Sequence, residues 1–249
     1  MAFFVLCTTF INMKLYYAII FQFALLFSLA QNIEVMNISS YKHDYLVSDI
    51  QYLEDISDTS KIKFIAKIKI SGAKENSITE HWLNLLNMQA KQVGANLFCI
   101  DSFFENGTNA DVIVNFYFAG LNFMKVNKTK ANKNTIYVFN QTREKNDTAS
   151  FYLNKNKVEF DASTYYTIET KPFQLYSIST NNNKTTTVNE SFPKDAASVY
   201  YIIPLNKKNI VQGNTPVVIN GLQINFKKNK PYECHYTYGR YVIEIYKRS

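Results

Sequence analysis

Thiols and imidazoles are the groups in this chain best suited to chemistry near neutral pH, and they are few: Cys7, Cys99 and Cys234, with His43, His81 and His235. A nucleophilic cysteine needs an imidazole within hydrogen-bond reach. Cys234 and His235 are adjacent in a stretch that reads as a strand. Neighbours on a strand point to opposite faces, so these two cannot form a dyad with each other. Cys99 with His81 is a pair that only folding could bring together. The histidines are far apart, and Cys234-His235 is adjacent rather than at ligand spacing, so no metal site is expected. No Gly-rich phosphate loop and no Gly-x-Ser-x-Gly elbow occurs, so no cofactor and no catalytic residue is assigned. Asp55 with Asp58, or Glu233 with Glu244, could act as acid and base on a glycoside only within a shaped cleft. The chain is expected not to be an enzyme.

Two stretches could instead present a binding surface. Residues 61–70 alternate with period two: Ile62, Phe64, Ala66, Ile68 and Ile70 share one face, while Lys61, Lys63, Lys67 and Lys69, with Ile65, occupy the other. That is a strand buried on one side, with a lysine face toward solvent or ligand. In residues 232–238, read as a strand, Tyr232, Tyr236 and Tyr238 fall on one face. They form either a half-buried aromatic face or a surface for stacking on carbohydrate.

The elements around these residues are α+β in the first half. After the lysine strand, Ser77 and Glu80 fit a capping box. Ile78, Trp82, Leu85, Leu86, Ala90 and Val93 then recur at helical spacing, with Trp82 as core anchor, and Gly94 sits where a left-handed residue ends a helix. Strands are expected at 96–103 and 111–118 around an Asn-Gly turn. The order is β-α-β-β, a crossover followed by a hairpin. Residues 126–133 are polar and loop-like and mark a boundary between an α+β domain (31–128) and a β-sandwich-like domain (134–249). The second domain shows short strands at 135–140, 150–153, 158–160, 165–170, 174–179, 197–204, 217–226, 232–238 and 240–246, separated by Asn-, Lys- and Pro-containing turns.

The helix end Ala90-x-x-x-Gly94-Ala95-Asn96, running into Leu97-Phe98-Cys99-Ile100, resembles small bacterial envelope domains of the RcsF-type stress-sensor lipoproteins. The resemblance covers residues near 60–120 and implies a small envelope domain. It carries over no activity, because the cysteine pattern and the lipoprotein cysteine are missing. Phe151-Tyr152-Leu153-Asn154, Thr164-Tyr165-Tyr166-Thr167 and Lys171-Pro172 resemble an exported bacterial β-domain without established chemistry.

The beginning of the chain supplies the address. Lys14, the apolar run 16–27 and the small residues Ser28 and Ala30 have the anatomy of a secretory signal peptide cleaved before Gln31, with translation starting at Met13 and residues 1–12 a mis-assigned extension. If Met1 is the start, the longer apolar region could remain as an uncleaved anchor. The net charge of +7 drops by one, to +6, when Lys14 leaves. The lysines are scattered, so no nucleic-acid partner is expected; an envelope protein or an anionic envelope component fits the charge. Cys99 and Cys234 form either a disulfide or two small buried hydrophobes. Seven Asn-x-Ser/Thr triplets, at Asn37, Asn106, Asn127, Asn140, Asn146, Asn183 and Asn189, are chance products of an Asn-rich composition or glycan acceptors in a eukaryotic secretory protein. The expected function is that of an exported, non-enzymatic envelope protein, periplasmic, surface-bound or secreted, that binds or supports. The alternatives are a surface-glycan hydrolase and a eukaryotic secreted glycoprotein.

Overall fold

The computed structural model describes residues 32–40, 50–55, 59–140, 148–180, 187–203, 217–219, 222–224 and 231–248. The expected signal segment and cleavage site, Cys7, His43, Asp58, Asn146 and Asn183 lie outside these residues. No helix among the described residues is long and apolar enough to cross a membrane.

The lysine strand forms as β3 (Ile62–Ala73). It belongs to a five-stranded sheet with β1 (Asn32–Ile38), β2 (Gln51–Tyr52), β4 (Leu97–Asn106) and β5 (Asn109–Ala119), in the order β1-β3-β5-β4-β2. β3 and β4 pair antiparallel with β5 from opposite sides, so they run parallel to each other. Parallel strands need a crossover, and α1 (Glu80–Val93) provides it. The register of β3 shifts between Phe64 and Ala66. The extra residue is Ile65, which this bulge turns into the core rather than onto the lysine face.

α1 buries Trp82, Leu86 and Ala90 against the sheet. Gly94 adopts φ +76°, and the Ala95 N–H reaches back to the Ala90 carbonyl at 2.8 Å, closing the helix end. Asn96 then grips β5: its Nδ2 donates to the Ala119 carbonyl at 2.8 Å and its Oδ1 accepts from the Ala119 N–H at 2.9 Å. The other end differs from expectation. α1 begins after Thr79 without a side-chain cap, and the Ser77 hydroxyl donates to the Lys74 carbonyl at 2.7 Å. Ser77 is held in the preceding 3-10 turn, so the Ser77–Glu80 box does not form.

The second half builds two more sheets and a small hairpin. A central sheet has the order β15-β12-β6-β9, from β6 (Thr135–Asn140), β9 (Tyr165–Glu169), β12 (Val199–Ile203) and β15 (Tyr232–Glu233). An outer antiparallel sheet has the order β11-β10-β7-β8, from β7 (Thr148–Leu153), β8 (Asn156–Asp161), β10 (Leu175–Ser179) and β11 (Thr187–Ser191). β13 (Val217–Ile219) and β14 (Leu222–Ile224) pair with each other, where one strand is expected. The central sheet divides its side chains between two cores by its period of two. Ile136, Val138, Tyr201 and Ile203 pack toward the outer sheet with Phe151, Tyr176 and Ile178. Tyr137, Phe139, Tyr200 and Ile202 pack the other way, into the core that contains the five-stranded sheet. The class is α+β.

The largest departure lies at the end of the chain. Residues 232–238 and 240–246, read as two strands, yield only the short β15; from residue 236 the chain is one helix, α3 (Tyr236–Arg248). Nine of its residues are buried, from Thr237 to Tyr246. α3 lies between the five-stranded sheet and the central sheet, so the 31–128 and 134–249 segments share one core. Residues 126–133 are not an open loop either. They include the end of α2 (Leu121–Thr129), and Asn127 is buried.

Candidate functional site

The lysine face lies on the outward side of the five-stranded sheet, and acids meet it there. The register of β4 shifts between Ile100 and Ser102, and the extra residue is Asp101. Its Oδ2 stands 2.9 Å from Lys67 Nζ, and its Oδ1 accepts from Asn115 Nδ2 at 3.0 Å. Lys69 reaches Asp111 at 2.8 Å, and Lys74 pairs with Glu105. The hydrogen bond from Lys67 holds the Asp101 carboxyl below its usual range, against some burial. Burial raises Asp111, but the bonds from Lys69 and Ser71 outweigh it and lower its pKa. Lys61 and Lys63 are exposed at the start of the strand. From Lys67 to Lys74 the face is therefore a ladder of neutralised pairs rather than a cationic strip. Its attraction for an anionic surface is weaker than the lysine count implies.

The three tyrosines do not share a face. A helix turns residues 236 and 238 by about 200° relative to each other. Tyr238 is buried, and its hydroxyl donates to the Ile78 carbonyl at 2.6 Å. Tyr236 donates to Glu54, and Tyr232 is half-buried on β15. Burial, with Glu80 nearby, drives the Tyr232 phenol pKa well up. Both readings of Tyr232, Tyr236 and Tyr238, a half-buried aromatic face or a stacking surface, assume one shared strand face, which is corrected here to separate core and helix contacts.

In its place, α3 brings together a polar cluster that sequence reasoning missed. Arg240 grips Glu54 with both ends of its fork: Nε to Oε1 at 2.7 Å and Nη2 to Oε2 at 2.8 Å. The guanidinium lies 4.9 Å from the Tyr52 ring centroid, a cation–π contact. Nη1 reaches Glu244 at 3.3 Å, and Glu244 also binds Lys247 at 2.8 Å. Side-chain exposure is 10 % for Arg240 and 4 % for Glu54, so this is a desolvated, fully paired group. Glu54 and Arg240 are 186 positions apart, and no local motif announces them. Their effect is to clamp α3 to the chain beyond β2.

Other reactive groups are bound up in the fold. Cys99 and Cys234 are free thiols, both buried, so of the two readings it is the pair of small buried side chains that the fold contains, not the bridge. Cys99 sits on β4 beside Tyr117, and Cys234 stands between β15 and α3 near Glu80. Burial pushes the Cys99 thiol up to about 11 and Cys234 well above its ordinary value, which keeps both protonated. His81 and His235 are exposed; His235 Nδ1 accepts from the Thr237 N–H at 3.3 Å. Asp55 pairs with Lys130 at 2.8 Å. Glu244 is engaged by Arg240, whereas Glu233 lies near Glu190, itself the acceptor of the Tyr201 hydroxyl at 2.8 Å. Burial, then Glu190, raises the Glu233 carboxyl. Among the described residues no group of three His, Cys, Asp or Glu converges as a metal site. No family model, curated protein or solved structure matches the chain.

Proposed function

We propose that the protein is an exported, non-enzymatic component of the cell envelope that works by binding, with β1 as its contact element. The observation that carries this reading is the open edge of the five-stranded sheet. Among the described residues, β1 pairs with β3 on one side only. Val35, Met36 and Ile38 are 51 %, 47 % and 61 % exposed. Natural edge strands are guarded by charge, proline or a bulge; β1, Asn-Ile-Glu-Val-Met-Asn-Ile, has one acid, Glu34, and a bulge at Met36, but no lysine or proline. A partner strand from an envelope protein would gain backbone hydrogen bonds along this rim and apolar cover for these side chains. Capture of an envelope protein by the purified chain should be insensitive to salt and should vanish in Val35→Lys/Ile38→Lys with folding intact. Capture that survives these changes but falls steeply with salt would point to an anionic component at the lysine face.

The hydrolase alternative has one supporting observation, the Glu190–Glu233 pair beside Tyr201, with Glu233 held above its usual range. Turnover of a surface glycan that is lost in Glu233→Gln would establish it and overturn the binding reading.

A further inference from the structure

Five of the seven Asn-x-Ser/Thr triplets fall on described residues, and the fold divides them. Asn37 lies on the edge strand β1, Asn106 at the tip of the β4–β5 hairpin, and Asn189 on β11; all three are exposed. Asn127 and Asn140 are each 1 % exposed. An N-glycan is attached through the asparagine Nδ2. Transfer forms a bond from Nδ2 to the sugar C1, breaks the bond from C1 to a lipid diphosphate carrier, and releases one Nδ2 proton. In Asn127 that nitrogen is already committed: it donates to the Tyr52 carbonyl at 2.7 Å, while Oδ1 accepts from the Glu54 N–H at 2.9 Å. Asn127 thereby ties α2 to the segment that presents Glu54 to Arg240. Asn140 Nδ2 is sealed from solvent, and the residue's carbonyl accepts the Tyr246 hydroxyl at 2.6 Å, where α3 meets β6. A sugar at either position would need space now filled by core.

We propose that the native protein accepts N-glycans at Asn37, Asn106 and Asn189, and that the buried Asn127 and Asn140 must stay unmodified for the chain to fold. The proposal rests on the export reading in its secreted-glycoprotein form, in which a glycan on Asn37 covers the β1 rim that the envelope reading offers to a partner strand, so occupancy of Asn37 and strand capture on β1 are competing outcomes. It makes passage through a glycosylating compartment a hazard, because transfer precedes folding and both buried triplets carry threonine, Thr129 and Thr142. Thr129→Ala abolishes its acceptor triplet while leaving Asn127 in place; among the described residues the Thr129 hydroxyl donates locally, to the Val126 carbonyl.

The test expresses the full chain in a eukaryotic secretory host, once with its own beginning and once behind a heterologous leader. The first arm reports on export. The second delivers the chain whether or not that reading holds. Peptide mapping before and after enzymatic deglycosylation locates the sugars. In the protease-resistant fraction, glycan is expected at Asn37, Asn106 and Asn189 and absent at Asn127 and Asn140. Glycan at either buried residue should appear only in aggregated or retained material, and Thr129→Ala/Thr142→Ala should then raise the folded yield several-fold. A folded, protease-resistant protein with sugar on Asn127 or Asn140 overturns the proposal. So does a leader-delivered chain that is bare at all three exposed positions.

Discussion

Gly239→Ala is expected to destabilise the protein, although helix propensity alone predicts the reverse. Gly239 is the fourth residue of α3, and glycine inside a helix is about 0.8–1.0 kcal/mol worse than alanine. Here an added Cβ would stand 2.2 Å from Tyr200 Cγ, 2.4 Å from Cδ1 and 2.7 Å from Cβ. Ordinary carbon contacts begin near ~3.5 Å, so α3 or β12 must move by roughly 1 Å. Tyr200 cannot swing aside, because the atoms struck include the root of its side chain. It is also 2 % exposed and stacked on Tyr137, with ring centroids 5.1 Å apart at 8°. Overpacking a core costs roughly 1–3 kcal/mol, and a clash with immobile atoms belongs at the top of that range. Subtracting the helix gain leaves a net loss of about 2 kcal/mol. With a urea slope of about 1–3 kcal/mol per molar, the unfolding midpoint should fall by on the order of 1 M. Tyr200→Ala is itself destabilising, but in that background Gly239→Ala should be neutral or stabilising, giving a large coupling energy. A Gly239→Ala midpoint at or above that of the parent, or strictly additive effects in the double variant, would refute this account of α3 packing.

Trp82→Ala should cost about 3–5 kcal/mol in urea unfolding, since the indole is fully buried between α1 and the sheet; an unchanged midpoint would show that it is not an anchor. Glu54→Gln should cost about 3–5 kcal/mol by leaving the Arg240 guanidinium buried without its carboxylate, while Glu54→Met/Arg240→Met should recover much of the loss. Equal losses in the single and double variants would contradict the clamp. Burial raises the Glu80 carboxyl, so the folded protein holds this proton more tightly than the unfolded chain. Its effect is absent below the ordinary Glu value and becomes a penalty as pH rises through the raised one. Glu80→Gln should therefore gain on the parent between about pH 4 and pH 7, and a relative loss over that range would reverse the assignment. N-terminal sequencing of exported protein should start at Gln31; a membrane-bound product that retains residues 13–30 would show an uncleaved anchor instead.

What was legible in the sequence is what local periodicity encodes. The β3 alternation, the α1 stripe with its glycine stop, and the β4–β5 hairpin follow from residue spacing on half-buried elements, where one face meets core and the other meets water. The strands β6 to β10 and β12 were legible for the same reason, together with their turn residues. α3 was not. A polar stripe at helical spacing, Arg240, Glu244 and Lys247, does run along it, but its tyrosines, valine and isoleucines favour strands, and the alternating tyrosines of 232–238 fit a period of two as well. The lysine face was visible as a pattern, but its neutralisation was not, because Asp101 and Asp111 reach it from β4 and β5 through sheet register and a bulge. The sorting of the Asn-x-Ser/Thr triplets likewise belongs to the tertiary structure. The sequence by itself determined which asparagines carry the triplet. Only the packing of α2 and α3 against distant segments decided which of them reach solvent, because burial depends on contacts made across the whole chain rather than on neighbours along it.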